Sequence, residues 1–250
     1  MSKVITIISG KGGVGKTTTA VNLGNALHIY GKDVVVVDAN LTTPNVGLHL
    51  GAPMVPISLN HVLLGKAKVS DAIYEHVSGT KIIPSSLSVR ELKRLDYSKL
   101  KEVGKSLRKM ADYIIYDSAA GLGDEATASI EAADEIVIVT NPEIPAVTDA
   151  LKTVKLAEEM GKTVRGVIIT RVSGSKGEMS IESVRDMLDL PVLGVIPEDK
   201  NVRCALSNRD SLMNNYPYSR AAKAYKKIAA RIANIEYVEP SLFARMFSRR

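Results

Sequence analysis

Apolar positions in this chain come in short unbroken runs rather than in strict alternation. Val4–Ser9, Asp33–Asp38, Lys81–Pro84, Tyr113–Asp117, Glu135–Thr140, Arg165–Thr170 and Pro191–Ile196 are each of strand length and rich in Val and Ile. A strand covered by helices on both faces needs apolar side chains pointing both ways, and an unbroken run supplies them. Between the runs, helical patterns cover Lys16–Tyr30, Tyr97–Met110, Asp124–Ala132, Pro145–Met160, Ser180–Leu188 and Tyr218–Ile235. Strand and helix alternate, which predicts an α/β fold: a doubly wound, mostly parallel sheet with helices on both faces. No internal repeat or low-complexity segment interrupts the pattern. Glu236–Pro240 reads as a linker, separating a domain over residues 1–235 from a final decapeptide, Ser241–Arg250.

Composition narrows the chemistry. With no Trp and two Phe in 250 residues, the core must be aliphatic. Cys204 is the single cysteine, which excludes an intrachain disulfide, a CxxC metal site and a cysteine-ligated cluster within one chain and suits a reducing cytosol. His28, His49, His61 and His76 lack ligand-like spacing and read as ordinary surface or core residues. The apolar start, Val4–Ile8, is too short for a secretory leader, and no apolar run reaches membrane-spanning length, so a cytoplasmic protein is expected. Formal net charge is +6, and all of it is matched by residues 220–250, where eight Lys and Arg face Glu236 and Glu239. Attraction to anionic surfaces should therefore come from the C-terminal end.

Between the first expected strand and the first expected helix stands Gly10-Lys11-Gly12-Gly13-Val14-Gly15-Lys16-Thr17, which matches G-x-x-x-x-G-K-[ST]. Glycines let the backbone wrap a phosphate with its N–H groups inward, and a helix starting at Lys16 adds its positive dipole end. In such a loop Lys16 reaches the β and γ oxygens of a nucleoside triphosphate, and the Thr17 hydroxyl ligates Mg²⁺. Asp38 and Asp117 close the second and fourth runs. Ligands of open α/β sheets lie beyond the carboxyl ends of the strands, which puts both acids beside the loop. Hydrolysis needs a positioned water and a Mg²⁺ whose waters are held by acids.

Lys11 to Thr18, K-G-G-V-G-K-T-T, resembles the deviant Walker A loop of the MinD/ParA family of ATPases. In that family the extra lysine crosses a dimer interface to the partner's nucleotide, so the resemblance gives Lys11 a catalytic role beside Lys16; taken alone, it is a solvated loop charge. Asp117, ahead of Ser118-Ala119-Ala120-Gly121, is similar to the family's Walker B and switch II acid, which holds Mg²⁺ through water. Asp38 is similar to the switch I aspartate that orients the attacking water. Two departures bear on the rate. Switch I commonly reads D-x-D where this chain has Asp38-Ala39-Asn40, and switch II commonly reads D-x-P-A-G where Ala119 replaces the proline. Thr140-Asn141-Pro142-Glu143 resembles the T-N-P-E segment of the MinD branch. Val195-Ile196-Pro197-Glu198-Asp199 resembles its I-P-E-D loop beside the adenine, and the likeness continues through Ala221–Tyr225, covering residues 3 to 235. An Asn-Arg pair that usually reads adenine is Thr170-Arg171 here, and a threonine cannot imitate a bidentate amide.

Branches of the family that carry iron–sulfur clusters need bridging cysteines that this chain lacks. The decapeptide separates the rest. As a helix it places Leu242, Phe243, Met246 and Phe247 on one apolar face flanked by Arg245, Arg249 and Arg250, and both phenylalanines of the protein are here. This resembles the C-terminal membrane-targeting helix of the MinD branch; a helix docked on its own domain is the other reading. The resemblance implies an ATPase that dimerises with ATP, sits at an anionic inner membrane surface, and positions division or another polar apparatus through an activating or cargo protein. ATP or ADP and Mg²⁺ would be its ligands. A DNA-segregation ATPase, using the basic helix at Arg220–Arg231 on DNA phosphates, is the alternative. A non-hydrolysing regulatory module is the third, given Asn40 and Ala119.

Overall fold

Among the described residues, eight strands form one sheet in the order β3-β4-β2-β5-β1-β6-β7-β8. They are β1 (Lys3–Ser9), β2 (Val34–Ala39), β3 (Tyr74–Glu75), β4 (Lys81–Ile83), β5 (Tyr113–Ala120), β6 (Glu135–Thr140), β7 (Thr163–Val172) and β8 (Val192–Pro197). All neighbours run parallel except the two-residue edge strand β3, which is antiparallel to β4. The computed structural model describes residues 2–239. The amphipathic tail expected over Ser241–Arg250 lies outside the described residues.

The unbroken apolar runs behave as expected. In β1, Ile5 and Ile7 pack with the buried residues of α1 (Lys16–Ile29) and of the C-terminal helix. Val4 and Ile8 face the opposite layer. Four-residue α2 (Val46–His49) and five-residue α3 (Leu59–Leu63) sit in the long connection between β2 and β3, and four-residue α4 (Val89–Leu92) follows β4. The helix expected over Tyr97–Met110 is shorter. Asp96 accepts a hydrogen bond from the Ser98 amide and starts a single 3₁₀ turn, and α5 proper is Leu100–Leu107. Next come α6 (Asp124–Ala132), α7 (Ile144–Glu159) and α8 (Ile181–Leu188). After β8 the chain forms α9 (Lys200–Ser207) and α10 (Leu212–Asn215), neither read from the sequence, and then α11 (Arg220–Ala233).

Asn234 takes a left-handed conformation that ends α11 and reverses the chain. The segment expected to be a linker runs back along that helix. Lys227 Nζ lies 5.3 Å from the Tyr237 ring centroid, and Lys223 pairs with Glu239 at 2.9 Å. Residues 236–239 are thus held against the domain.

Candidate functional site

β1 ends at Ser9 in the middle of the sheet, and the chain turns into α1 through six residues, four of them glycine. Gly13 and Gly15 have φ of 80° and 96°, a region that side chains disfavour. Gly10 is needed for a different reason: a Cβ there would lie 2.1 Å from the Asp149 carbonyl carbon in α7. Gly15 is the N-cap of α1 and offers no side-chain cap, so the first amides of the helix are left for a ligand. The loop is braced from outside. Thr170 Oγ1 donates to the Val14 carbonyl at 2.6 Å, and Ser9 Oγ donates to the Lys11 carbonyl at 2.7 Å.

Asp38 and Asp117 face each other in register on β2 and β5, and both are fully buried. Thr17 Oγ1 donates to Asp117 Oδ2 at 2.6 Å. Asp38 Oδ2 accepts from the amides of Asn45 and Val46, each at 2.9 Å. The other carboxylate oxygen of each acid, Oδ1, is buried without a hydrogen-bond partner among the described residues. Burial raises both carboxyls above their ordinary values, and for Asp38 the Asp117 charge adds to the rise. Lys16 is 8% exposed, and burial lowers its ammonium, with the Asp117 charge opposing. Two uncompensated carboxylate oxygens, a buried ammonium and a threonine hydroxyl line one cavity of about 350 Å³ with Gly12, Gly13 and Gly15 or lie directly behind it. That donor set fits a hard, water-keeping cation held with phosphate oxygens. Among the described residues no group of three or more His, Cys, Asp and Glu could hold a metal alone. Asn40, where the usual pattern has a second acid, turns aside: its amide nitrogen donates to the Thr43 carbonyl at 2.7 Å and its oxygen accepts from the Thr43 hydroxyl.

A second cavity of about 340 Å³ adjoins the first through Gly15, Thr18 and Arg171. It brings together Thr170, Arg171, Pro197, Glu198 and Asp199, as the sequence suggested, between Val14, Ile196, Val202 and Tyr225. Its polar side chains are mostly committed elsewhere. The Thr170 hydroxyl faces the Val14 carbonyl rather than the cavity. The Asp199 carboxylate takes the Asn201 and Ala221 amides, and Glu198 accepts from Arg203. Arg171 departs from this, exposed at a backbone φ of 56°.

Lys11 is half-exposed, with Nζ 3.9 Å from the Glu143 carboxylate. Leu48, Leu122, Ile144 and Leu206, all substantially exposed, belong to the segments around that mouth. Two groups near the site escaped the sequence reading. Glu125 at the start of α6 accepts from the amide and hydroxyl of Thr42, tying the segment after β2 to the segment after β5. His49, read as ordinary, lines the phosphate cavity, with Nδ1 3.0 Å from the Asn45 carbonyl and Nε2 3.5 Å from the Thr18 hydroxyl. A histidine three residues past an Asn-Val pair carries no motif; only the fold brings it there.

Residues 5–212 match the CobQ/CobB/MinD/ParA nucleotide-binding domain. An uncharacterised ATP-binding protein of Methanocaldococcus jannaschii is 40% identical over 237 residues, which is 95% of this chain and 90% of that protein. The septum site-determining protein MinD of Neisseria meningitidis is 32% identical over 99% of both chains. The structure of MinD from Pyrococcus horikoshii complexed with Mg-ADP superposes with a TM-score of 0.89 at 35% identity, covering 100% of each chain. Among the described residues, no helix is long and apolar enough to cross a membrane.

Proposed function

Because the chain belongs to the CobQ/CobB/MinD/ParA nucleotide-binding family, we propose that it is a MinD-like ATPase that closes into a dimer over Mg-ATP and opens when the nucleotide is hydrolysed. The observation that carries the reading is the pair of buried Asp38 and Asp117 oxygens, without a hydrogen-bond partner among the described residues, beside Lys16 and Thr17. Mg²⁺ would be held by Thr17 directly and by Asp117 through water, and the loop amides Gly10 to Thr18 would cradle the phosphates. When bound, Mg²⁺ would supply charge neutralisation to the phosphate oxygens. Asp38 would orient the attacking water and Lys16 would neutralise charge on the departing diphosphate. Lys11 is presented at the cavity mouth within a fringe of exposed apolar residues, which suits a second copy docking across the nucleotide.

Pro197 and the apolar walls of the adjoining cavity would take the base, with Thr170, Arg171, Glu198 and Asp199 around it. The tail, which as a helix would set Leu242, Phe243, Met246 and Phe247 on one side and Arg245, Arg249 and Arg250 beside them, would bind an anionic inner membrane surface. A ten-residue helix is marginal alone. Two tails on one dimer act together, so membrane binding follows nucleotide state. The role would be spatial, placing division or another polar apparatus through an activating or cargo protein.

The DNA reading loses support from α11. Arg220 donates to the Glu198 carbonyl, Lys226 to the Pro217 carbonyl, and Arg231 to the Val192 and Leu193 carbonyls, while Lys223 and Lys227 hold Glu239 and Tyr237. Cations already engaged within the fold make poor phosphate contacts. Co-sedimentation with anionic liposomes under ATP, ADP and no nucleotide, for the full chain and one ending at Pro240, tests the proposal. ATP-dependent binding that vanishes with the tail is expected. Equal binding by both chains, or salt-sensitive DNA retention with no liposome response, would refute it.

A further inference from the structure

The Thr18 hydroxyl has one proton and two claimants. It follows the loop threonine Thr17 at the start of α1 and lines both the phosphate and the base cavities. His49 Nε2 stands 3.5 Å away. On the other side of the imidazole, Nδ1 meets the Asn45 carbonyl at 3.0 Å. A carbonyl only accepts, so Nδ1 carries the ring proton and Nε2 presents a lone pair. Burial lowers the ring's pKa, which keeps it in that neutral form near pH 7. Thr18 is then the donor across the 3.5 Å gap.

Asn45 is also the residue whose amide, with that of Val46, holds Asp38 Oδ2. A continuous chain of contacts therefore runs from α1 to the acid: Thr18 hydroxyl, His49 ring, Asn45 peptide, Asp38 carboxylate. The helix carrying His49 has four residues and little stability of its own, so its position depends on such ties. We infer that His49 is a positioning residue that competes with a nucleotide phosphate for the single proton of Thr18, and so carries nucleotide occupancy to Asp38. This rests on the reading of the glycine-loop cavity as a Mg-ATP site. A bound phosphate accepts the Thr18 hydrogen bond in place of the imidazole, the Thr18–His49 contact opens, and Asn45 and Val46 are freed to adjust around Asp38.

Three variants test it: His49→Leu, His49→Gln, which keeps one donor and one acceptor, and Thr18→Val, which removes the proton. Mg-ATP affinity is read by calorimetry and turnover by phosphate release, on protein whose melting transition is intact. His49→Leu removes the competitor, so affinity should tighten about threefold, the size of one modest hydrogen bond. Turnover at saturating Mg-ATP should change little, and the difference in amide exchange at Asn45 and Val46 between free and Mg-ATP-bound protein should shrink, since the leucine opens the contact without nucleotide. His49→Gln should restore most of the affinity and of that exchange difference. In a Thr18→Val background, His49→Leu should change neither quantity, because the shared proton is gone. Equal effects of His49→Leu with and without Thr18 would overturn the inference, as would a glutamine variant no better than leucine. If His49→Leu does not fold, the Gln variant alone and combined with Thr18→Val carries the same comparison. Absence of Mg-ATP binding by the unaltered protein would instead refute the functional reading beneath it.

Discussion

The two adjoining cavities are built by opposite means. On the phosphate side, charged groups are buried before any ligand binds: Lys16 is almost covered, and Asp38 and Asp117 each keep an oxygen without a hydrogen-bond partner among the described residues. On the base side, the polar side chains of Thr170, Asp199 and Glu198 are already satisfied inside the fold, and apolar walls supply the shape. An unmet buried charge costs several times more than an unmet contact with an apolar wall. The phosphate side should therefore hold most of the affinity, and the base side most of the rigidity.

Replacing Lys16 by Ala tests the first half most severely. Mg-ATP affinity should fall on the order of a hundredfold with the melting temperature of the free protein unchanged or raised, since a buried charge is removed. Calorimetry and thermal melts check both. Gly10→Ala should act on stability, because its methyl meets the α7 backbone at Asp149. A loss of about 1–3 kcal/mol by chemical denaturation is expected.

Asp117→Asn sharpens the electrostatic side through pH. Burial raises the Asp117 carboxyl from 3.8 to about 6. Its folded form holds a proton longer than the unfolded chain, so stability contributed by the neutral acid is complete below about pH 4 and lost as pH rises through 6. The asparagine variant escapes that loss. Its melting temperature relative to the unaltered protein should climb by a few degrees from pH 4.5 to pH 7.5 without nucleotide, and less in Mg-ADP. Thr170→Val is the mildest test. Losing the brace on Val14 should cost about 1 kcal/mol of stability and weaken ATP and GTP by similar small factors. A large loss confined to ATP would show that the hydroxyl reads the base and reverse the contrast between the cavities.

What could be read in advance follows the same division. The glycine loop announces itself because every residue of Gly10 to Thr17 is needed for one local task. That Asp38 and Asp117 would come together beside the loop was legible because both close strands at the carboxyl edge of an open sheet. The orientation of the Thr170 hydroxyl was not legible, since it depends on where Val14 lies, 156 residues earlier. Glu125 and His49 were missed for a related reason. They reach the site from segments whose partners, Thr42 and Thr18, are distant in sequence. α10 was missed because four residues offer too few turns for a helical period to stand out, and α9 because it buries Ala205 alone and so carries no apolar stripe. Arg220–Arg231 read as a basic helix that could supply DNA phosphate contacts; only the fold shows carbonyls, an acid and a ring along it.

The turn at Asn234 has a mechanical consequence. From Ala233 back to Lys223 the helix covers about 15 Å, and Glu239 is pinned at the far end of that span. The anchored end of α11 is the end that grips Glu198 and Asp199 through Arg220 and Ala221. Whatever lies downstream of Glu239 thus departs from the rim of the base cavity rather than from the opposite pole of the domain. One ion pair, Lys223 to Glu239, joins that point of departure to the turn of helix that holds the rim.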